Sequence, residues 1–153
     1  MQLEFDFTDA LPVAAPPAPI VQSDPPLRRS PIRHSGQRYF AGLAAEEAVE
    51  RQYQRQGATC LERRYRCQHG EIDLIFLEGD NVVFVEVKRR KTPIGFDDPV
   101  PATQWRRLGN AALQFLADYA SVNGRYPYCR FDVAVATRDG LIQVFKNARG
   151  FDA

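Results

Sequence analysis

The sequence predicts an α/β domain, a central mixed β-sheet flanked by helices in the order α-β-β-β-α-β-β, behind a disordered N-terminal tail. Three observations predict it. Two apolar stripes at helical spacing bracket a group of strand-like runs, two of those runs meet at a tight-turn dipeptide, and the opening segment is proline-rich and aperiodic. At 153 residues the chain fits one folded domain, and 44% hydrophobic against 25% charged residues is the balance of an ordinary globular protein.

Residues 1–34 hold Pro12, Pro16, Pro17, Pro19, Pro25, Pro26 and Pro31 without sustained periodicity. Proline removes backbone donors and biases its predecessor away from helix, so a flexible, partly extended tail is expected there and a folded domain over 35–153. From Gly36 the pattern becomes helical, with Tyr39, Leu43, Val49 and Tyr53 near 3.6-residue spacing and Gly57 as the stop. Strands are expected at 58–66, 70–77 and 81–89, the last two rich in Val, Ile and Phe. Glycine and prolines mark 90–103 as a loop. A second helix follows with Trp105, Leu108, Ala112, Phe115 and Tyr119 on one face, and a closing hairpin joins 130–137 to 141–146 around Asp139-Gly140.

Composition narrows function only by exclusion. A net charge of +1 neither requires nor forbids a nucleic-acid partner, because local patches govern such binding. Three cysteines, Cys60, Cys67 and Cys129, without a Cys-x-x-Cys pair argue against a disulfide framework or structural zinc. No run approaches the ~18 apolar residues of a membrane span. The acidic, proline-rich start is unlike a signal peptide, so a cytoplasmic protein is expected.

The chemistry resides in the two central strands. Gly79-Asp80 suits a two-residue turn, and pairing Glu78 with Asn81 sets Asp73 opposite Glu86. Directly opposed side chains share a face with Cβ atoms about 4.5–5.5 Å apart, where two carboxylates repel. A divalent cation between them reverses that sign. Lys88, two residues on, shares the face with Glu86 and Phe84, while Val83, Val85 and Val87 point the other way. Glu46 lies on the apolar stripe of the first helix and needs a partner there, whereas Glu47 and Glu50 fall nearer its edge or outer face. Glu71 shares the face of Asp73 but lies near the strand start.

Phosphodiester hydrolysis needs an activated water and neutralisation of charge on the phosphoryl oxygens. Hard carboxylates hold Mg2+ or Mn2+, which lowers the pKa of bound water, and a lysine beside the metal orients that water or stabilises the anion. A lone Glu-x-Lys on a strand is ordinarily a surface ion pair. The opposed Asp73, the apolar surroundings and Glu46 favour the catalytic reading of Asp73, Glu86, Lys88 and Glu46, with metal on Asp73, Glu86 and Glu46.

At these residues the chain resembles the uncharacterised YraN-type bacterial proteins. The resemblance is carried by residues 42–46 (Gly-Leu-Ala-Ala-Glu), 70–75 (Gly-Glu-Ile-Asp-Leu-Ile) and 83–90 (Val-Phe-Val-Glu-Val-Lys-Arg-Arg), then by Ala111-Ala112 and 130–133 (Arg-Phe-Asp-Val). It implies a nuclease of the restriction-endonuclease-like PD-(D/E)xK superfamily, akin to archaeal Holliday junction resolvases, and through them a homodimer. No dimer face is evident from the sequence. Two positions depart from the family pattern: Ala45 replaces a usual glycine, and Gln104 replaces a lysine common at the start of the second helix.

Lys88 to Lys91 form the densest basic run, with Arg63, Arg64 and Arg66, and Arg106-Arg107, as further edges. Nucleic-acid contacts are expected from Arg66, Arg89, Arg90, Lys91 and Gln104, without a groove-reading motif, so selection is expected by DNA structure rather than sequence. In the tail, Gln2 to Phe7 (Gln-Leu-Glu-Phe-Asp-Phe) resembles short peptides that dock on bacterial sliding clamps. The reading is a Mg2+- or Mn2+-dependent endonuclease on branched or structured DNA in repair or recombination. Its rivals are a DNA-binding accessory protein of the same fold and an interaction module whose acidic cluster is only an ion-pair network.

Overall fold

The computed structural model describes residues 35–93 and 99–149. The proline-rich tail, with the clamp-like segment Gln2 to Phe7, lies outside them. Helix α1 (Ser35–Arg55) is followed by strands β1 (Thr59–Cys67), β2 (Gly70–Glu78) and β3 (Asn81–Arg90), helix α2 (Ala102–Asn123), and strands β4 (Tyr128–Thr137) and β5 (Ile142–Arg149). The expected order α-β-β-β-α-β-β is the observed one.

The sheet is five-stranded in sequence order, β1-β2-β3-β4-β5. Strands β1, β2 and β3 form an antiparallel meander, β4 runs parallel to β3 after the α2 crossover, and β5 returns antiparallel. The sheet is therefore mixed. Gly79, at φ 59°, makes the β2–β3 turn, a left-handed conformation glycine adopts without a Cβ penalty. Glu78 pairs with Asn81, and the ladder runs in register to Leu74 opposite Val85.

Each helix covers one face. Trp105, Leu108, Ala111, Ala112, Phe115 and Leu116 of α2 pack on Ile75, Val82, Phe84, Phe131, Val133 and Val135. Phe84 stands edge-on to Phe115 with ring centroids 5.8 Å apart. On the other face, Val49 and Tyr53 of α1 pack on Leu74, Phe76, Val83, Val85 and Ala134, with Tyr53 stacked on Phe76 at 4.5 Å. Burial on both faces explains why residues 82–85 form an uninterrupted apolar run. Two α1 expectations need correction. Tyr39, assigned to the apolar stripe, is 52% exposed. Glu50, placed at the helix edge, is 7% exposed and takes a two-pronged bond from Arg63, Nε at 2.7 Å and Nη2 at 2.5 Å, which ties α1 to β1.

A second polar knot crosses the layers. Asp132 on β4 is fully buried and accepts from the Tyr53 hydroxyl at 2.7 Å, Arg130 Nε at 3.0 Å and the Asn147 amide at 2.9 Å. Arg130 in turn donates to Glu78 at 2.6 Å. Burial and the Asp132 charge push the Tyr53 phenol far above its ordinary range, so it stays a donor. The β4–β5 ladder shifts register between Phe131 and Val133, where the Asn147 backbone, at φ 50°, bends to reach Asp132.

Candidate metal and active site

The ladder between β2 and β3 stops one residue short of Asp73 and Glu86. Beyond it the strands are held by a side chain: Asp73 Oδ2 accepts the Val87 backbone N–H at 2.7 Å. The register read from the turn holds as far as Leu74 opposite Val85, and Asp73 and Glu86 are the next residues beyond the point where the backbone pairing ends. Their carboxyl groups are close enough to hydrogen-bond each other. Burial first, then the Glu86 charge, push the Asp73 carboxyl up to about 7, against the opposing pull of the Val87 amide. Such a pair needs a proton or a cation between its members.

Glu86 is 7% exposed, and a closed ring of polar contacts holds it. Lys88 Nζ donates to Glu86 Oε1 at 2.8 Å and to Gln104 Oε1 at 2.9 Å, while Gln104 Nε2 donates to the same Glu86 oxygen at 2.5 Å. Gln104 sits in the first turn of α2, so the crossover helix delivers it to the open end of β3. Gln104, expected as a nucleic-acid contact, is hydrogen-bonded through both amide atoms to Lys88 and Glu86.

Glu46 reaches the same end of the sheet from α1, half-buried, its carboxyl raised by burial and then by the Asp73 charge. Arg64 Nε is 3.9 Å from Glu46 and 3.1 Å from Glu71, and Arg66 Nε is 2.7 Å from Glu71. Arg64 also donates to the Tyr39 hydroxyl at 3.3 Å and lies over that ring. The basic edge expected from Arg63, Arg64 and Arg66 is thus largely neutralised by Glu50, Glu46 and Glu71. Arg89, Arg90 and Lys91 are exposed where β3 leaves the site, and Arg106 and Arg107 are exposed on α2. Arg107 passes 3.5 Å from the place a Cβ would take on Gly70, so α2 presents it beside the start of β2.

Among the described residues, no three or more His, Cys, Asp or Glu side chains stand ready as a metal cage. The donor set is a two-carboxylate one, Asp73 and Glu86, with Glu46 set further back. That fits a hard ion of the Mg2+ class, which keeps several waters and takes only one or two carboxylates from the protein.

A family model described as uncharacterised protein family UPF0102 matches residues 45–136. The chain belongs to this family. A UPF0102 protein of Ruegeria pomeroyi is 42% identical over 112 residues, 73% of this chain and 89% of the relative. One from Cereibacter sphaeroides is 41% identical over 110 residues (72% and 92%), and one from Dinoroseobacter shibae is 36% identical over 122 residues (80% and 90%). The expected membership in the YraN-type family holds at this level. The UPF0102 match runs from Ala45 to Ala136 and so contains Glu46, Asp73, Glu86, Lys88 and Gln104, while leaving out β5.

Proposed function

We propose that this UPF0102 protein is a metal-dependent endonuclease with a restriction-endonuclease-like fold, hydrolysing phosphodiester bonds in branched or structured DNA during repair or recombination. The observation that carries the reading is the Asp73–Glu86 pair: two carboxyl groups in contact, half-buried and buried, with Lys88 Nζ on one of them. Like charges held together in a shielded place cost stability, and a site that keeps them is built for a cation.

Asp73 and Glu86 would hold Mg2+ or Mn2+, and Glu46 would reach it through water. The ion would supply Lewis acidity to a phosphoryl oxygen and a more acidic bound water. Gln104 and Glu86 hold the Lys88 ammonium in one position, where it orients the attacking water or meets charge developing on the phosphoryl group. Arg89, Arg90 and Lys91 extend the cationic surface along the exit of β3 and would take backbone phosphates without reading bases. The closed Lys88–Gln104–Glu86 ring also favours a second reading, a DNA-binding accessory protein whose lysine is committed to structure until a partner frees it.

Incubation with flaps, four-way junctions and single strands in Mg2+ or Mn2+ tests both. Cleavage by the parent and none by Asp73→Asn or Lys88→Ala supports the nuclease. Binding of junctions without cleavage under either metal supports the accessory role. Mn2+-induced thermal stabilisation that survives loss of both Asp73 and Glu86 carboxylates removes the metal assignment.

A further inference from the structure

Arg64 is one of two non-glycine described residues in the left-handed region, at φ 50°. An arginine gains nothing locally from that conformation, which crowds its Cβ against the backbone. Its neighbours Arg63 and Tyr65 pair with Leu74 and Ile72, so Arg64 lies across from Asp73 in the register. Yet its guanidinium is not on Asp73. It bonds Glu71 at 3.1 Å, stands 3.9 Å from Glu46 and donates to the Tyr39 hydroxyl at 3.3 Å, fixed from β2 and from two turns of α1.

The charges around the site then divide unevenly. Glu46 and Glu71 share Arg64, Glu71 also has Arg66, and Glu86 has Lys88. Among the described residues Asp73 has no ion-pair partner; its neighbours are Glu86 and the Val87 amide. The four carboxylates face three side-chain cations, a single negative charge in excess. One divalent ion at Asp73 and Glu86 turns the cluster positive, as phosphate binding needs. A second ion would have to displace a guanidinium that three groups already hold.

We infer that Arg64 is a positioning residue that acts as a resident cation, neutralising Glu46 and Glu71 and restricting the site to one divalent ion, at Asp73 and Glu86. The inference rests on the metal reading proposed above. It accounts for the strained backbone, because the left-handed turn is what carries the guanidinium away from Asp73 and onto Glu46 and Glu71.

The test is Mn2+ titration of the full chain at pH 8, with free Mn2+ read by electron paramagnetic resonance, for the parent, Arg64→Lys, Arg64→Asn and Asp73→Asn. Asparagine tolerates the left-handed region, so Arg64→Asn removes the charge without adding strain. One ion per chain is expected for the parent and for Arg64→Lys, two for Arg64→Asn, and none for Asp73→Asn. Two ions in the parent would overturn the role of Arg64 while leaving the metal site standing, and that measurement needs no variant to fold. One ion in Arg64→Asn at the parent's affinity would overturn it equally. No binding by the parent above the Asp73→Asn background would remove the metal reading and this inference together.

Discussion

Replacing Asp73 by asparagine should stabilise the metal-free protein in alkaline solution while abolishing its response to Mn2+. The Asp73 carboxyl is raised from 3.8 to about 7, by burial and then by Glu86, so the folded state holds this proton more tightly than the unfolded chain does. Its contribution is therefore fully present below about pH 4 and is lost as pH climbs through 7. At 1.36 kcal/mol per pH unit the ceiling on that loss is about 4 kcal/mol. Asp73 is only half-buried, and solvent relaxation lowers the figure to about 1–3 kcal/mol. Asparagine keeps an oxygen for the Val87 N–H and gains an amide that can donate to Glu86, so the contact changes from repulsive to attractive without a change of shape. For a domain of this size the gain corresponds to a melting temperature higher by about 4–12 °C at pH 8 in EDTA. The assay is a thermal melt at pH 5, 6, 7 and 8, with EDTA and with Mn2+. The parent should weaken across that range and recover with Mn2+, by about 2.7 kcal/mol when the ion is at a hundred times its dissociation constant. The variant should show a shallower slope and no recovery. An asparagine variant that melts below the parent at pH 8 in EDTA would refute the reasoning.

Three further outcomes follow from the same contacts. Lys88→Ala should lower cleavage by about 10²-fold or more with junction affinity within a few-fold of the parent, read by single-turnover kinetics beside a binding titration. Replacing Arg89, Arg90 and Lys91 together by alanine should flatten the slope of log affinity against log salt by about 2–3, leaving Mn2+ binding unchanged, as measured by fluorescence anisotropy in a salt series. Tyr53→Phe removes one of the donors to the fully buried Asp132 and should cost about 1–3 kcal/mol in urea unfolding, with single-turnover cleavage by the folded enzyme retained.

The sequence exposed what depends on period and turn chemistry. Gly79-Asp80 was enough to place Glu78 on Asn81 and to set the register up to Leu74 opposite Val85, one residue short of Asp73 and Glu86. Apolar spacing found α2 because its buried stripe, from Trp105 to Leu116, faces the sheet. It misjudged α1 at both ends, for two reasons. The turn around Tyr39 carries an exposed ring that faces Arg64 rather than the core, and Glu50 is buried by a bond to Arg63 that no hydropathy pattern encodes. The inward turn of Gln104 had a sequence signal, its place in the first turn of the helix that follows β3. The left-handed Arg64 had none, because nothing in a single sequence marks an arginine for that conformation. Asp132 was visible as a strand residue within the 130–133 run; its role as a shared acceptor emerges from Tyr53 and Asn147, both distant in the chain, joined by Arg130 two residues away.

That shared acceptor bears on how the molecule comes apart. The two apolar layers lie on opposite sides of the sheet, and each helix could in principle lift away without disturbing the other. Asp132 denies α1 that freedom. Its bond to Tyr53 runs from the C-terminal half of the helix into a strand whose Phe131 and Val133 belong to the opposite layer, and Arg130 carries the connection on to the β2–β3 turn through Glu78. Peeling α1 from the sheet would strand a buried carboxylate without one of its donors, so the helix is held to the cooperativity of the whole sheet. Helix α1 is thereby tied to the sheet, and the tie helps keep together the end of the sheet that gathers Glu46, Asp73 and Glu86 from α1, β2 and β3.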